Sequence, residues 1–289
     1  MLNRLRMTAF RAWRDGIRRV VSAPSVLVIV WATTTAISLP LTMMVRAGMI
    51  QSFGRSLEAG DAARGMGYQW MRDFSADATG LASTVRPEIV GFSSVLDNLN
   101  ALVSIVRRPP AIAVVSGIYI LAWIFLSGGI IRRYSNEDAS AVPGFLASCR
   151  EYFFRFFRFA LITAVAAVVL YRFVHPWLVI LCLAALNIVF DYAKVRTVVE
   201  GRRSVVVAIG AACRFIRKNP ANAIGVYLLD VVLFGIVLGV YALAAPSGGG
   251  TGAMAWAAFA IGQAYIIGRL AVRLVFWASE AALLRVRGN

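Results

Sequence analysis

Four charged residues stand in or at the edge of stretches that are otherwise apolar, and any chemistry in this chain starts with them. Asp230 is the single charge between Ala221 and Ala245. Arg269 and Arg273 are the only charges between residues 253 and 279, and Asp191 closes the apolar run from Trp177 to Phe190. Charges inside a membrane segment are rare and costly, and they face a bundle interior, a partner charge or a pathway. Helical spacing puts Gly262, Ile266, Arg269, Arg273, Phe276 and Glu280 on one stripe, and Asn187 and Asp191 on one face. At about 1.5 Å of rise per residue, Asp230 lies about 14 Å beyond Ala221 and Arg269 about 12 Å before Trp277. Matching depths predict direct pairs, Asp230 with Arg269 and Asp191 with Arg273. Such pairs either hold a helical bundle together or line the path of an ion or substrate. A closed, dry bundle favours the first role, and a cavity reaching Asp230 and Arg269 the second.

Other residue types point to little further chemistry. His175 is the only histidine, with no acid–base or metal-binding partner near it in sequence, and it sits in a tight outer turn with Tyr171, Arg172 and Trp177. Cys149, Cys182 and Cys213 are far apart and form no CxxC pair, so neither a disulfide nor a thiolate metal site is expected. The glycine run at 246–252 lacks the Lys-Ser/Thr ending of a phosphate loop, and no GxSxG or HExxH motif occurs. The expectation is no catalytic residue, no metal and no cofactor, with an enzyme ranked last. The segment CREYFFRFFRFA at 149–160 interleaves aromatics with Arg150, Arg155 and Arg158. Stacking on single-stranded nucleic acid uses such a pattern. At the start of a membrane segment it serves as an interfacial anchor with snorkelling arginines.

The elements that must position these residues follow from composition. Of 289 residues, 60% are hydrophobic and only 15% charged, against about 25% in soluble domains; the mean hydropathy is +0.73. The net charge is +16, from 30 Lys+Arg and 14 Asp+Glu. Basic residues at the cytoplasmic ends of membrane helices set topology and meet anionic lipid, which accounts for this excess without nucleic acid as a partner.

The expected fold is all-α, a polytopic membrane protein of six transmembrane helices in three hairpins, 24–131, 159–190 and 221–279. Residues 1–23 form a basic amphipathic surface helix, with Arg14, Arg18 and Arg19 toward headgroups. Residues 24–289 form the membrane domain. Pro24–Val45 and Pro109–Ile131 are uncharged runs long enough to span. Phe159–Tyr171 is short alone and relies on its aromatic lead. Residues 46–108 form an extracytoplasmic helical insertion. Residues 203–218 form a second surface helix, placing Arg202, Arg203, Arg214, Arg217 and Lys218 against anionic lipid. The connections 132–158 and 191–219 carry five and seven basic residues, so both termini are expected in the cytoplasm. The tail from 280 onward is expected to be a cytoplasmic extension.

The layout of hairpins and surface helix, above all NIVFDYAKVRTVVEGRRSVVVAIGAACRFIRKNP followed by an apolar span, resembles six-helix bacterial inner-membrane proteins. These are similar in layout to the membrane domain fused to glycerophosphodiester phosphodiesterases. The resemblance covers residues 110–280 and implies a bacterial inner-membrane protein. It carries over no catalytic residue, and the phosphodiesterase domain itself is not in this sequence. The functional expectation is a structural, regulatory or lipid-binding membrane subunit, partnered by anionic lipid and by a membrane protein. The alternative is a transporter or channel-like protein for a lipid or small anionic substrate.

Overall fold

The computed structural model describes residues 8–53, 110–135, 142–244 and 252–288; most of the expected insertion at 46–108 lies outside them. The described elements are α1 (Ala9–Ser22), α2 (Pro24–Phe53), α3 (Pro110–Ser135), α4 (Val142–Phe173), α5 (Pro176–Val199), α6 (Val205–Lys218), α7 (Pro220–Ala244) and α8 (Ala253–Gly288). Helices α2, α3, α5 and α7 all begin on a proline. At that position the missing N–H has no intrahelical partner to lose, and the fixed φ suits the first turn. Six helices, α2–α5, α7 and α8, are long and apolar enough to cross a membrane. The chain is an all-α, multi-pass membrane protein.

Three boundaries differ from the sequence expectation. The span expected at Phe159–Tyr171 is longer, because the aromatic-basic segment at 149–160 belongs to the same helix and α4 runs unbroken for 32 residues. No proline or glycine interrupts it between Gly144 and Phe173. Helix α5 continues past Phe190 to Val199, so Asp191, Lys194 and Arg196 are on the helix and not in a connection. It stops where Gly201 takes φ +63° just beyond the cap residue Glu200, a left-handed position that glycine fills without steric cost. Helix α8 runs through the expected tail to Gly288, and Ser279 to Leu284 are all buried.

Two compact units are distinguished. The first comprises residues 1–30, 120–234 and 269–289. Its core holds Ile130, Ile131, Tyr152, Phe159, Tyr192, Leu274 and Leu283. Tyr152, Phe156, Phe159 and Phe190 form a chain of ring contacts with centroid spacings of 6.1, 6.2 and 6.1 Å. Helix α6 seats Ala208, Ala211, Ala212 and Phe215 inward. Its first turn is capped by the Ser204 hydroxyl, which accepts from Val207 N–H at 3.5 Å. Arg196 of α5 donates to the Ala211 carbonyl and pairs with Glu200, which also pairs with Arg202. Partial burial alone would raise the Glu200 carboxyl. The hydrogen bonds from Arg202 and Arg196, with their charges, outweigh it and hold that carboxyl below its ordinary range.

Helix α1 belongs to this unit and is packed into it. Its buried face is Ala12, Gly16 and Val20, small residues that admit a close neighbour. A Cβ on Gly16 would come within 2.8 Å of the Ser279 backbone nitrogen and 2.9 Å of its Cα. Arg19 pairs with Asp15 at 2.8 Å and donates to the Tyr134 carbonyl at 2.6 Å.

The second unit comprises residues 31–119 and 235–268. Within it the Trp31 indole N–H donates to Gln263 Oε1 at 3.0 Å. Tyr241 stacks on Tyr265 with centroids 4.1 Å apart and planes at 17°. Met43, Val114, Leu243 and Trp256 are exposed, as expected of side chains that face lipid.

The Gly16 contact is the tightest approach that holds α1, and it involves backbone that cannot swing away. Gly16→Ala is expected to destabilise the protein by about 1–3 kcal/mol, the range for overpacking. A Cβ on Gly210 of α6 would meet no described atom within 4 Å. Gly210→Ala is therefore expected to be neutral or to stabilise by about 0.5–1 kcal/mol through helix propensity. Thermal unfolding in mild detergent measures both. Equal midpoints for the two variants would refute the close packing of α1.

Candidate functional site

Three helices each present one stripe to a common cleft in the first unit. On α5 the stripe is Asn187, Asp191 and Lys194, at spacings of four and three. On α7 it is Tyr227, Asp230, Val231 and Phe234, and on α8 Arg269, Val272, Arg273, Phe276 and Trp277. Residues three and four apart share a helix face, so α7 and α8 each place polar groups beside aromatic ones on a single wall. The cleft has a volume of about 370 Å³, within the range of small-ligand sites.

The carboxylates do not make the pairs expected from depth. Asp230 is only 2% exposed, and its Oδ1 accepts from the Trp13 indole N–H at 3.1 Å. Its Oδ2 accepts no hydrogen bond from any described residue. The donor comes from α1, which the sequence reading had placed in the headgroup plane. Asp191 takes Lys194 Nζ at 2.9 Å, three residues along the same helix. The continuation of α5 beyond Phe190 makes this local partner available, and it replaces the expected Asp191–Arg273 pair. The Arg273 guanidinium instead lies 3.9 Å from the ring centroid of Trp123 and 5.6 Å from that of Trp277. These two indoles meet edge to face at 5.9 Å. Ring faces stabilise a guanidinium charge in this way. Asp230, Arg269, Asp191 and Arg273 all line the one cleft, and Arg269 and Arg273 are both exposed on it. Tyr227 meets Phe276 edge-on at 5.2 Å.

Sequence reasoning missed several participants. Trp13 lies in the helix expected at the membrane surface, and nothing local marks a contact 217 residues away. Lys194 carried a usable signal, its position three residues after Asp191. Glu280 fell on the α8 stripe but was taken as tail. It is 1% exposed, and neither carboxylate oxygen accepts a hydrogen bond from a described residue.

The basic residues expected at lipid divide into two groups. Arg14, Arg18, Arg158, Arg203, Arg214, Arg217 and Lys218 are exposed. Arg19, Arg155 and Arg202 are engaged by the protein. Arg19 bridges Asp15 and Tyr134, Arg155 donates to the Arg202 carbonyl at 3.4 Å and covers the Tyr152 ring, and Arg202 pairs with Glu200. His175 caps α5 through its backbone carbonyl, which accepts from Leu178 N–H at 2.9 Å. The three cysteines are free thiols. Among the described residues no group of His, Cys, Asp and Glu is placed to hold a metal ion. No family model matches the chain, and neither a curated protein nor a solved structure matches it.

The Trp13–Asp230 hydrogen bond joins α1 to α7 at the cleft. Trp13→Phe keeps an aromatic ring but removes the donor, which is expected to cost about 1–3 kcal/mol because the acceptor is buried. Asp230→Ala is expected to destabilise by a similar amount. The double variant should lose less than the sum, since it leaves neither partner stranded. Strict additivity of the three unfolding midpoints would show that this bond contributes nothing.

Proposed function

We propose that this membrane protein binds an anionic group, a lipid headgroup or a small anionic solute, in the cleft formed by α5, α7 and α8, and moves it across or within the bilayer. The observation that carries this reading is the exposure of Arg269 and Arg273 on the wall of a cleft, on a helix apolar enough to span. An arginine near the middle of a membrane segment costs about 2.5–3.5 kcal/mol on insertion scales. A bound phosphate or carboxylate offsets that cost, and the guanidinium fork matches either in a two-point contact. Lys194 also lines the cleft, paired with Asp191. A cleft that reaches both Asp230 and Arg269 favours ligand handling over a closed structural bundle. In a purely structural or regulatory subunit the same cleft would be a standing lipid site.

The placement proposed with this reading is the bacterial inner membrane, with both termini in the cytoplasm. Supporting it are the basic bias of the inner connections and the likeness in layout stated above. Arg14, Arg18, Arg158, Arg203, Arg214, Arg217 and Lys218 would then meet anionic headgroups at the inner surface.

Titration of the purified chain with dihexanoyl phosphatidic acid and with dihexanoylglycerol tests the anion site. The acid is expected to raise the unfolding midpoint and the uncharged lipid to leave it unchanged. The double variant Arg269→Gln/Arg273→Gln is expected to bind the acid at least about 10-fold more weakly, the loss of roughly one charge-assisted contact. An acid lipid that stabilises wild type and double variant alike would defeat the assignment.

A further inference from the structure

We infer that the ligand of this cleft is a zwitterion, carrying a primary ammonium beside its anionic group. The inference rests on the anion site proposed above and adds a second pole to it. The ionic side chains on the wall are not mixed at random. Lys194 and Asp191 are taken up with each other on α5. The lining also holds Arg269 and Arg273 on α8, and Asp230 on α7. One helix therefore presents positive charge to the cleft and another negative. A ligand that is only an anion leaves the α7 wall unanswered and is repelled by it.

Asp230 is built to receive a donor. It is 2% exposed, and the Trp13 indole fixes it through Oδ1. Oδ2 is buried and accepts no hydrogen bond from a described residue. An ionised carboxylate has about four lone-pair sites, and leaving an oxygen unmet in a dry site is unfavourable. Tyr227 stands one turn before Asp230 and Phe234 one turn after it, both on the cleft. Phe276 meets the Tyr227 ring edge-on. Aromatic faces around a carboxylate are the usual surroundings of a bound ammonium, which gains from both the charge and the ring quadrupoles.

The hydrogen-bond requirement narrows the amine. A primary ammonium can donate N–H to Oδ2 and still contact the rings. A trimethylammonium has no N–H to give and leaves Oδ2 unmet. The shared chemistry is therefore a primary ammonium a few bonds from a phosphate or carboxylate. A phosphoethanolamine headgroup and a free phosphoethanolamine or amino acid both have it. The volume of about 370 Å³ suits such a group; acyl chains of a lipid would remain outside.

The test is a binding comparison on the full chain in mild detergent, by isothermal calorimetry and by the shift in unfolding midpoint. The probes are dihexanoyl phosphatidylethanolamine, phosphatidylcholine and phosphatidic acid, with free phosphoethanolamine and glycine as soluble arms. Wild type is expected to bind the ethanolamine lipid at least about 10-fold tighter than the choline lipid, as for one lost charge-assisted hydrogen bond. Asp230→Asn keeps an acceptor for Trp13 and is expected to bring that ratio near one, with phosphatidic acid bound as tightly as before or more so. Preference for a soluble arm identifies a solute as the source, and preference for the lipid a headgroup; either supports the zwitterion. If phosphatidic acid binds but the ethanolamine and choline lipids bind equally, the zwitterion is wrong and the anion site stands. If Asp230→Asn retains the ethanolamine preference, the assignment of the ammonium to Asp230 is wrong. If nothing binds, both fall. Should the variant fail to fold, the wild-type ethanolamine-to-choline ratio decides alone.

Discussion

A carboxylate on a helix apolar enough to cross a membrane must find a hydrogen-bond donor, a cation or a proton, and this requirement shapes the first unit around Asp230. The donor it finds is Trp13, from a helix that sequence position would leave at the periphery. For that indole to arrive, α1 has to lie against the bundle, and its buried face of Ala12, Gly16 and Val20 permits this. Gly16 lets the backbone of α1 approach that of α8 at Ser279, and Gly225 of α7 leaves room for Ala9. Small residues at helix crossings allow such contacts where lipid supplies no hydrophobic drive for helix association. The polar contact and the close packing are therefore one arrangement, each requiring the other.

The six apolar helices were legible because membrane-spanning length is a one-dimensional property of the sequence. Their ends were less so. Hydropathy marks where an apolar run stops, but a helix continues until its backbone meets a breaker or loses its partners. Helix α5 passes straight through the charge at Asp191 and ends near Gly201, a glycine visible in the sequence that takes a positive φ in the structure. Helix α8 continues through Glu280 and the alanines and leucines after it, which are good helix formers. The extended ends changed the charge pairing, since α5 brought Lys194 within reach of Asp191 before any other helix could compete.

Helix α1 shows a different limit. The eye follows its large apolar residues, yet Phe10 is 56% exposed and the buried positions are alanine, glycine and valine. In an interface built on close approach the informative residues are the small ones, and a reading weighted by hydrophobicity passes over them. The stripes of α5, α7 and α8 were visible because polar and aromatic residues recur at three and four. Which stripe faces which, and that an indole from α1 would reach Asp230, depends on contacts between distant segments that local spacing does not encode.

Electrostatics in the cleft follows from the same division between local and distant partners. Asp191 and Lys194 neutralise each other within one helix, so that pair contributes little net field to the cleft. Arg273 is held over two indoles, which stabilise its charge. Asp230 is held by a neutral donor, which satisfies one oxygen without cancelling its charge. Deeper in the same unit Glu280 is within electrostatic reach of Asp191, Asp230 and Lys194. A bundle selected for stability alone gains by replacing buried ions with apolar residues of similar size. Here one wall carries two arginines on α8 and another the carboxylate of Asp230 on α7. That costs stability, and a ligand with two opposite poles would offset it.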